Sequence, residues 1–406
     1  MTLNRLMDIQ VGLHADVNDF SVAPVTYRRV QLFGGGETLM PRALTKIDRN
    51  DIMALDGRGF VGLYGPLDVA DVAPVTEWKG VDANSGAAVA SAGWAAKMEQ
   101  ADMITSMFGA APAATVAAAP TVAASGHTAT TITFTGTAPV AGLMYLFQTS
   151  AGPRIRQCLS AASQIATLAH PYTGTPTSSS TIIRAAQWEW SPAVSAHVHL
   201  GMLSEGPDYR AEFLGCAPNS LALAIPAGGR VTATWGYSPT DVAPLLSPAG
   251  PSAVYPPSGA PILGLNAELL IGAGIYAVDD LAVSYSNNNE ARSTPASRNG
   301  RLGGIAGEKR GGFQITGSIR NEVIARGGVQ RDTGVESLRT ALGDTLGIGA
   351  LSAERDVLLV VGRAAGAAFA VRLPTADFTA SMAAVGSLAG IAFTATATRN
   401  ATLGVF

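Results

Sequence analysis

The order of elements along this chain occurs twice, and that repetition constrains the fold more than any single motif. In the C-terminal half, a run from Tyr276 to Ser286 alternates apolar and polar residues, with Val278, Leu281, Val283 and Tyr285 as the bulky positions. It stops at Asn287-Asn288-Asn289, a turn signal, and a long polar, Gly-rich stretch extends to Arg310. The segment GGFQITGSIRNEV then sets Phe313, Ile315 and Ile319 at period two, which predicts a strand. Val335, Leu338 and Leu342 predict a short helix, with Asp332-Thr333 as the cap candidate and Gly343 at its end. Strands are predicted at 357–361, 369–373, 378–384 and 386–398.

The N-terminal half runs in the same order. A strand at 25–33 enters Gly34-Gly35-Gly36 and a long polar loop, and a second strand region is expected between Trp78 and Trp94. A helix is predicted from about residue 95 to Phe108, its apolar stripe formed by Met103, Ile104, Met107 and Phe108. The half closes on a hairpin. Leu221, Leu223 and Ile225 alternate, Pro226-Ala227-Gly228-Gly229 turns, and Val231, Ala233 and Trp235 alternate back. Its counterpart is AVRLPTADFTASMAAVGSLAGIAFTATA. The expected division is an N-terminal arm over 1–24, a first module from 25–110 and 186–244, and a second module over 262–406. A Pro-rich linker at 245–261 joins the modules. Residues 111–185 open on an Ala/Pro-rich stretch and then read as short strands, an inserted β-domain or enlarged outer loop.

Charged residues are only 14% of the 406, against roughly 25% in ordinary soluble domains, so burial in an assembly is expected. The formal net charge of −3 gives no basic field to hold nucleic acid, which leaves room for a conduit that DNA passes without sticking. Cys158 and Cys216 have no zinc spacing and are expected as free thiols. No signal peptide and no bilayer-spanning apolar run is read, so a chain made in the host cytoplasm with no membrane partner is expected.

Catalytic and binding signals are weak. Gly57-Arg58-Gly59-Phe60-Val61-Gly62 matches a dinucleotide fingerprint in letters, but Gly65-Pro66 denies it the helix that would face a pyrophosphate. His197 and His199 form half a metal site without a third ligand. Asp279 and Asp280 point apart on a strand or form a turn, and neither makes an acid–base pair. No enzyme, cofactor or metal is expected. In the 287–310 loop, Arg298, Arg301, Lys309 and Arg310 interleave with Glu290 and Glu308, beside Asn288. Such mixed charge suits protein–protein contact better than DNA, and these seven are the candidate ring-stacking residues.

The hairpin GCAPNSLALAIPAGGRVTATWGY, the strand LAVSYSNNN and the run from GGFQITGSIRNEV to SLRTALGD together resemble the major tail tube proteins of long-tailed, siphovirus-like bacteriophages, in a duplicated form. The resemblance leaves 111–185 outside. It implies a mainly β fold, with two related sandwich or barrel modules, each with a short flanking helix, and a small inserted β segment. It also implies a structural virion protein of the phage tail that polymerises into stacked rings, a tube for DNA ejection. Two modules per chain imply a trimeric ring with pseudo-sixfold symmetry, or alternatively a hexamer. Tape measure protein and genomic DNA would lie in the lumen, with tail terminator and distal tail proteins at the ends. Another virion role (distal tail, baseplate or capsid decoration), a surface adhesin and an enzyme are the competing readings, in that order.

Overall fold

The computed structural model describes residues 8–14, 26–33, 46–47, 63–64, 71–82, 98–109, 120–136, 139–180, 182–190, 199–205, 210–239, 241–245, 258–272, 274–276, 278–287, 291–293, 301–305, 312–320, 323–326, 329–332, 350–385 and 388–406. They are mainly β, organised around one large curled sheet and a separate six-stranded sheet. The predicted alternations fold as ladders. Leu221 faces Trp235 and Leu223 faces Ala233 across the expected hairpin, and Leu221, Leu223, Ile225, Val231, Ala233 and Trp235 are all buried. Phe313, Ile315 and Ile319 of the strand Gly312–Arg320 share a buried face. The run read as one strand from Tyr276 is two: Gly274–Tyr276 and Asp279–Ser286. Asp280, at φ +50°, marks a bulge at the start of the second strand, where its register against Gly312–Arg320 shifts between Asp279 and Ala282.

Two unusually long strands organise the sheet. Arg210–Ile225 pairs over its first part with Leu200–Glu205 and Asp241–Leu245. Around Pro218 its partners change: Thr232–Ser238 pairs from Ala217 onward, with a register shift between Pro218 and Ser220, and Asp279–Ser286 pairs from Ser220. Ala367–Val385 does the same around Pro374. Before the proline it lies between the strands Ala350–Ala364 and Ala401–Val405. After it, Leu388–Ala397 replaces the latter. Proline donates no ladder hydrogen bond, so a partner exchange at that residue leaves no donor orphaned. In both cases an earlier strand covers the outer flank of the hairpin, Val75–Glu77 in the first half and Gly312–Arg320 in the second.

The first-half strand Ala186–Trp190 pairs with Ala401–Val405 of the second half, so the halves interlock. They also share one core. Trp78 stacks on Trp235 at 5.8 Å and meets the edge of second-half Phe369 at 5.9 Å. The helix Ala101–Phe108 is buried along its whole length and ends at Gly109, whose φ of +81° suits the left-handed cap. Phe108 stacks on Tyr285 at 5.9 Å and meets Phe313 at 6.2 Å, both from the second half. The second predicted helix, around Val335 to Leu342, lies outside the described residues, as do 57–62, most of the 245–261 linker and His197.

Between helix and hairpin, Thr121–Val122, Thr131–Thr135, Met144–Thr149, Gly152–Ala162, Ile165–Leu168 and Ile183–Arg184 form the six-stranded sheet. One face builds its own core around Phe134, Tyr145, Phe147, Cys158 and Tyr172. From the other face, Met144, Leu146 and Ile155 dock on second-half residues Leu270, Leu358, Val360, Ala368, Ala370 and Phe406. This six-stranded unit therefore leaves the chain in the first half and packs against the second. Both cysteines are buried free thiols, as expected; burial pushes the Cys158 thiol up to about 11 and raises Cys216 further.

Candidate assembly surface

Backbone ladders, rather than a cluster of reactive side chains, make up the surface that a multimeric sheet needs. The halves meet through Ser220–Ile225, which pairs antiparallel with Leu281–Ser286 over six residues in register. Tyr285 and Asn287 fasten this seam. The Tyr285 hydroxyl donates to the carbonyl of Met107 at 2.9 Å and contacts Asn287 Oδ1. Asn287 Nδ2 donates to Pro218 O at 3.1 Å, and its backbone N–H donates to Asn219 O at 2.7 Å. The first asparagine of the turn thus locks the second-half strand onto the bulge of the first-half strand. Sequence reasoning took that triplet only as a turn; the buried Tyr two residues before it was the available signal.

Edges remain. Among the described residues, Ala350–Arg355 has a ladder partner on one side only, Ala376–Ser381, and Asp241–Leu245 pairs only with Arg210–Leu214. Unpaired strand flanks offer rows of N–H and C=O groups to another chain. The end near Gln31 is closed differently. The Gln31 N–H donates to the Glu99 carboxylate, which also holds Lys79 Nζ at 2.5 Å. Arg28 reaches Asp102 in the first turn of the helix at 3.4 Å; burial raises the Asp102 pKa, and the Arg28 charge opposes that rise.

Of the predicted stacking residues, Asn288, Glu290, Arg298, Glu308, Lys309 and Arg310 lie outside the described residues. Arg301 opens the strand Arg301–Ile305, opposite Ser293 of Ala291–Ser293, so a hairpin forms inside the long loop. Its parent strands are adjacent, with Ser286 opposite Gly312. The structure does not bring the seven together as one described group. His199 is buried, and no group of three or more metal-ligating side chains occurs among the described residues. None of the described helices is long and apolar enough to cross a membrane.

A family model described as phage tail tube protein matches residues 147–322. Over that stretch the chain is similar to phage tail tube proteins. The match spans the long strand interrupted at Pro218, the seam and the Asn287 turn, and it supports a structural tail tube role. It begins inside the segment expected as an insertion, and so takes in most of the strands of the six-stranded sheet. It ends before SLRTALGD. No curated protein matches the chain significantly.

Proposed function

We propose that this tail tube chain closes into rings by edge-to-edge strand pairing and that the rings stack into the tube through which DNA leaves a siphovirus-like virion. The observation that carries the reading is the in-chain seam, where a strand of one half completes the sheet of the other. A ring needs the same join between copies. The open flank of Ala350–Arg355 is the second-half surface that accepts the next copy, and closure removes the edges that would otherwise aggregate.

The two halves are copies of one module, a reading supported by their shared plan: a long strand broken at Pro218 or Pro374, a hairpin partner after the break, and a short strand returning to the part before it. Two modules per chain favour a trimeric ring with pseudo-sixfold symmetry over a hexamer. The arm 1–24 and the loops 34–78 and 287–310 stack one ring on the next, with Asn288, Glu290, Arg298, Arg301, Glu308, Lys309 and Arg310 at the contact; loops of that length are rarely idle. Tape measure protein and then DNA occupy the lumen, and terminator and distal tail proteins cap the ends.

Negative-stain microscopy of the purified chain tests this. Rings or tubes of constant diameter with a stain-filled centre are expected, with three-fold ring averages. A chain that stays monomeric at every concentration and salt condition overturns the reading.

A further inference from the structure

The seam between the six-stranded unit and the second half is unbalanced in charge. Arg154 and Arg156 sit two residues apart on Gly152–Ala162 and so lean to the same face. Both reach Glu268, which opens the strand Glu268–Ile271. Arg154 Nη1 lies 3.6 Å from Oε1, and Arg156 Nη2 lies 3.8 Å from Oε2. Arg363 lies near the end of the strand Ala350–Ala364 and takes Oε1 at 2.5 Å. Three guanidinium groups thus share one carboxylate, and only Arg363 holds it at hydrogen-bond distance.

The second acid of the seam is already committed. Asp356 binds Arg372 through both oxygens, Nε to Oδ1 at 3.0 Å and Nη2 to Oδ2 at 2.6 Å. Arg372 Nη1 completes its bonding on Gln157 Oε1. His170 lies 3.7 Å from Asp356, and burial pushes its pKa down to about 4, so it is neutral at pH 7 and offers no negative charge. Four arginines therefore face two carboxylates beside the apolar residues Ile155, Leu270, Leu358 and Val360.

Arg156 bears the consequence. Its side chain is fully buried; Nε donates to Pro171 O and Nη1 to Ile155 O, while Nη2 finds no hydrogen-bond acceptor among the described residues. Burial pulls its pKa down to about 10 against the opposing pull of Glu268. A buried cation short of counter-charge is costly, and the usual remedy is an anion that accepts the spare donors. Arg363, at 30% exposure, is the member of the group that reaches solvent.

We propose that this seam is a binding site for a tetrahedral oxyanion of the phosphate class, held between Arg156 and Arg363 beside Glu268, which ties the six-stranded unit to the second half. The proposal stands apart from the tail-tube reading and does not need it. Isothermal titration of inorganic phosphate into the full-length chain at constant ionic strength tests it, with chloride as the control anion. One saturable phosphate per chain is expected. Arg363→Gln should weaken binding about tenfold or more, the loss expected for one charge-assisted hydrogen bond. Arg156→Met should abolish it. In phosphate-free buffer Arg156→Met should unfold at the same or a higher denaturant concentration, because the surplus charge is gone. Wild-type chain without saturable phosphate binding overturns the proposal, as does unchanged binding in Arg363→Gln. A large loss of stability in phosphate-free Arg156→Met also overturns it, since Glu268 would then be sufficient neutralisation.

Discussion

Asn287 occupies a position where any turn-forming polar residue would satisfy the local backbone, yet its side chain is buried with both ends engaged. Asn287→Ala removes one donor from the Pro218 carbonyl and one acceptor from the Tyr285 hydroxyl. Leaving buried polar groups unpaired costs about 1–3 kcal/mol. The unfolding midpoint in urea should fall accordingly with an unchanged slope; a midpoint equal to wild type would mean the seam does not depend on this amide. His170 makes a pH prediction. Its pKa is about 4 in the folded chain, lowered by burial against the pull of Asp356, with Arg372 and Arg156 also lowering it. An unfolded histidine titrates near 6.5, so the unfolded state binds the proton first. Its contribution is full above pH 6.5 and is lost as pH falls toward 4, on the order of 3 kcal/mol across that window. Denaturant titrations between pH 7 and 4 should slope downward, and His170→Gln should flatten that part of the slope. An identical slope in the variant would place the effect on other groups.

Elements were readable where the pattern is local. Period-two alternation located the hairpin and the strand of Phe313, and the stripe of Met103, Ile104, Met107 and Phe108 located the helix. Strand partners were not readable, because Ser220 meets Ser286 and Ala186 meets Val405 through chain folding that no window of residues encodes. The strands Gly152–Ala162 and Ile165–Leu168 escaped notice because a seven-residue exposed stretch from Leu159 to Ile165 hides their alternation. Glycines were read as loop markers, yet some are there for close packing. A Cβ on Gly259 would lie 2.2 Å from the carbonyl oxygen of Gly366 and 2.7 Å from the backbone of Gly80, where three segments converge. Gly259→Ala must push backbone apart and should cost about 1–3 kcal/mol or more. Gly312→Ala meets nothing within 4 Å and should be neutral or slightly stabilising. Equal stabilities of the two variants in chemical denaturation would contradict the convergence.

At the scale of the whole molecule, the stacking reading predicts that the loop that follows the seam serves assembly and not folding. Its parent strands are already neighbours: Ser286 lies opposite Gly312, and the ladder continues to Asp279 opposite Ser318. The core faces of both strands, Leu281, Val283 and Tyr285 against Phe313 and Ile315, belong to the main buried core. Replacing residues 288–310 by Asn-Gly, while keeping Asn287, turns the pair into a tight hairpin whose geometry suits twisted antiparallel strands. The shorter connection also lowers the entropy cost of closure, by about 0.6 kcal/mol for each halving of loop length. Chains carrying this replacement should keep the circular-dichroism spectrum and urea midpoint of the parent. They should also lose the mixed-charge surface from Glu290 to Arg310 that the stacking reading requires. The expected result in negative stain is single rings or unassembled chains in place of tubes, under conditions where the parent chain polymerises. Tubes of parental length would assign ring stacking elsewhere, to the arm or the 34–78 loop. A collapsed spectrum would mean that the loop belongs to the fold itself, against the closure already made by Ser286 and Gly312.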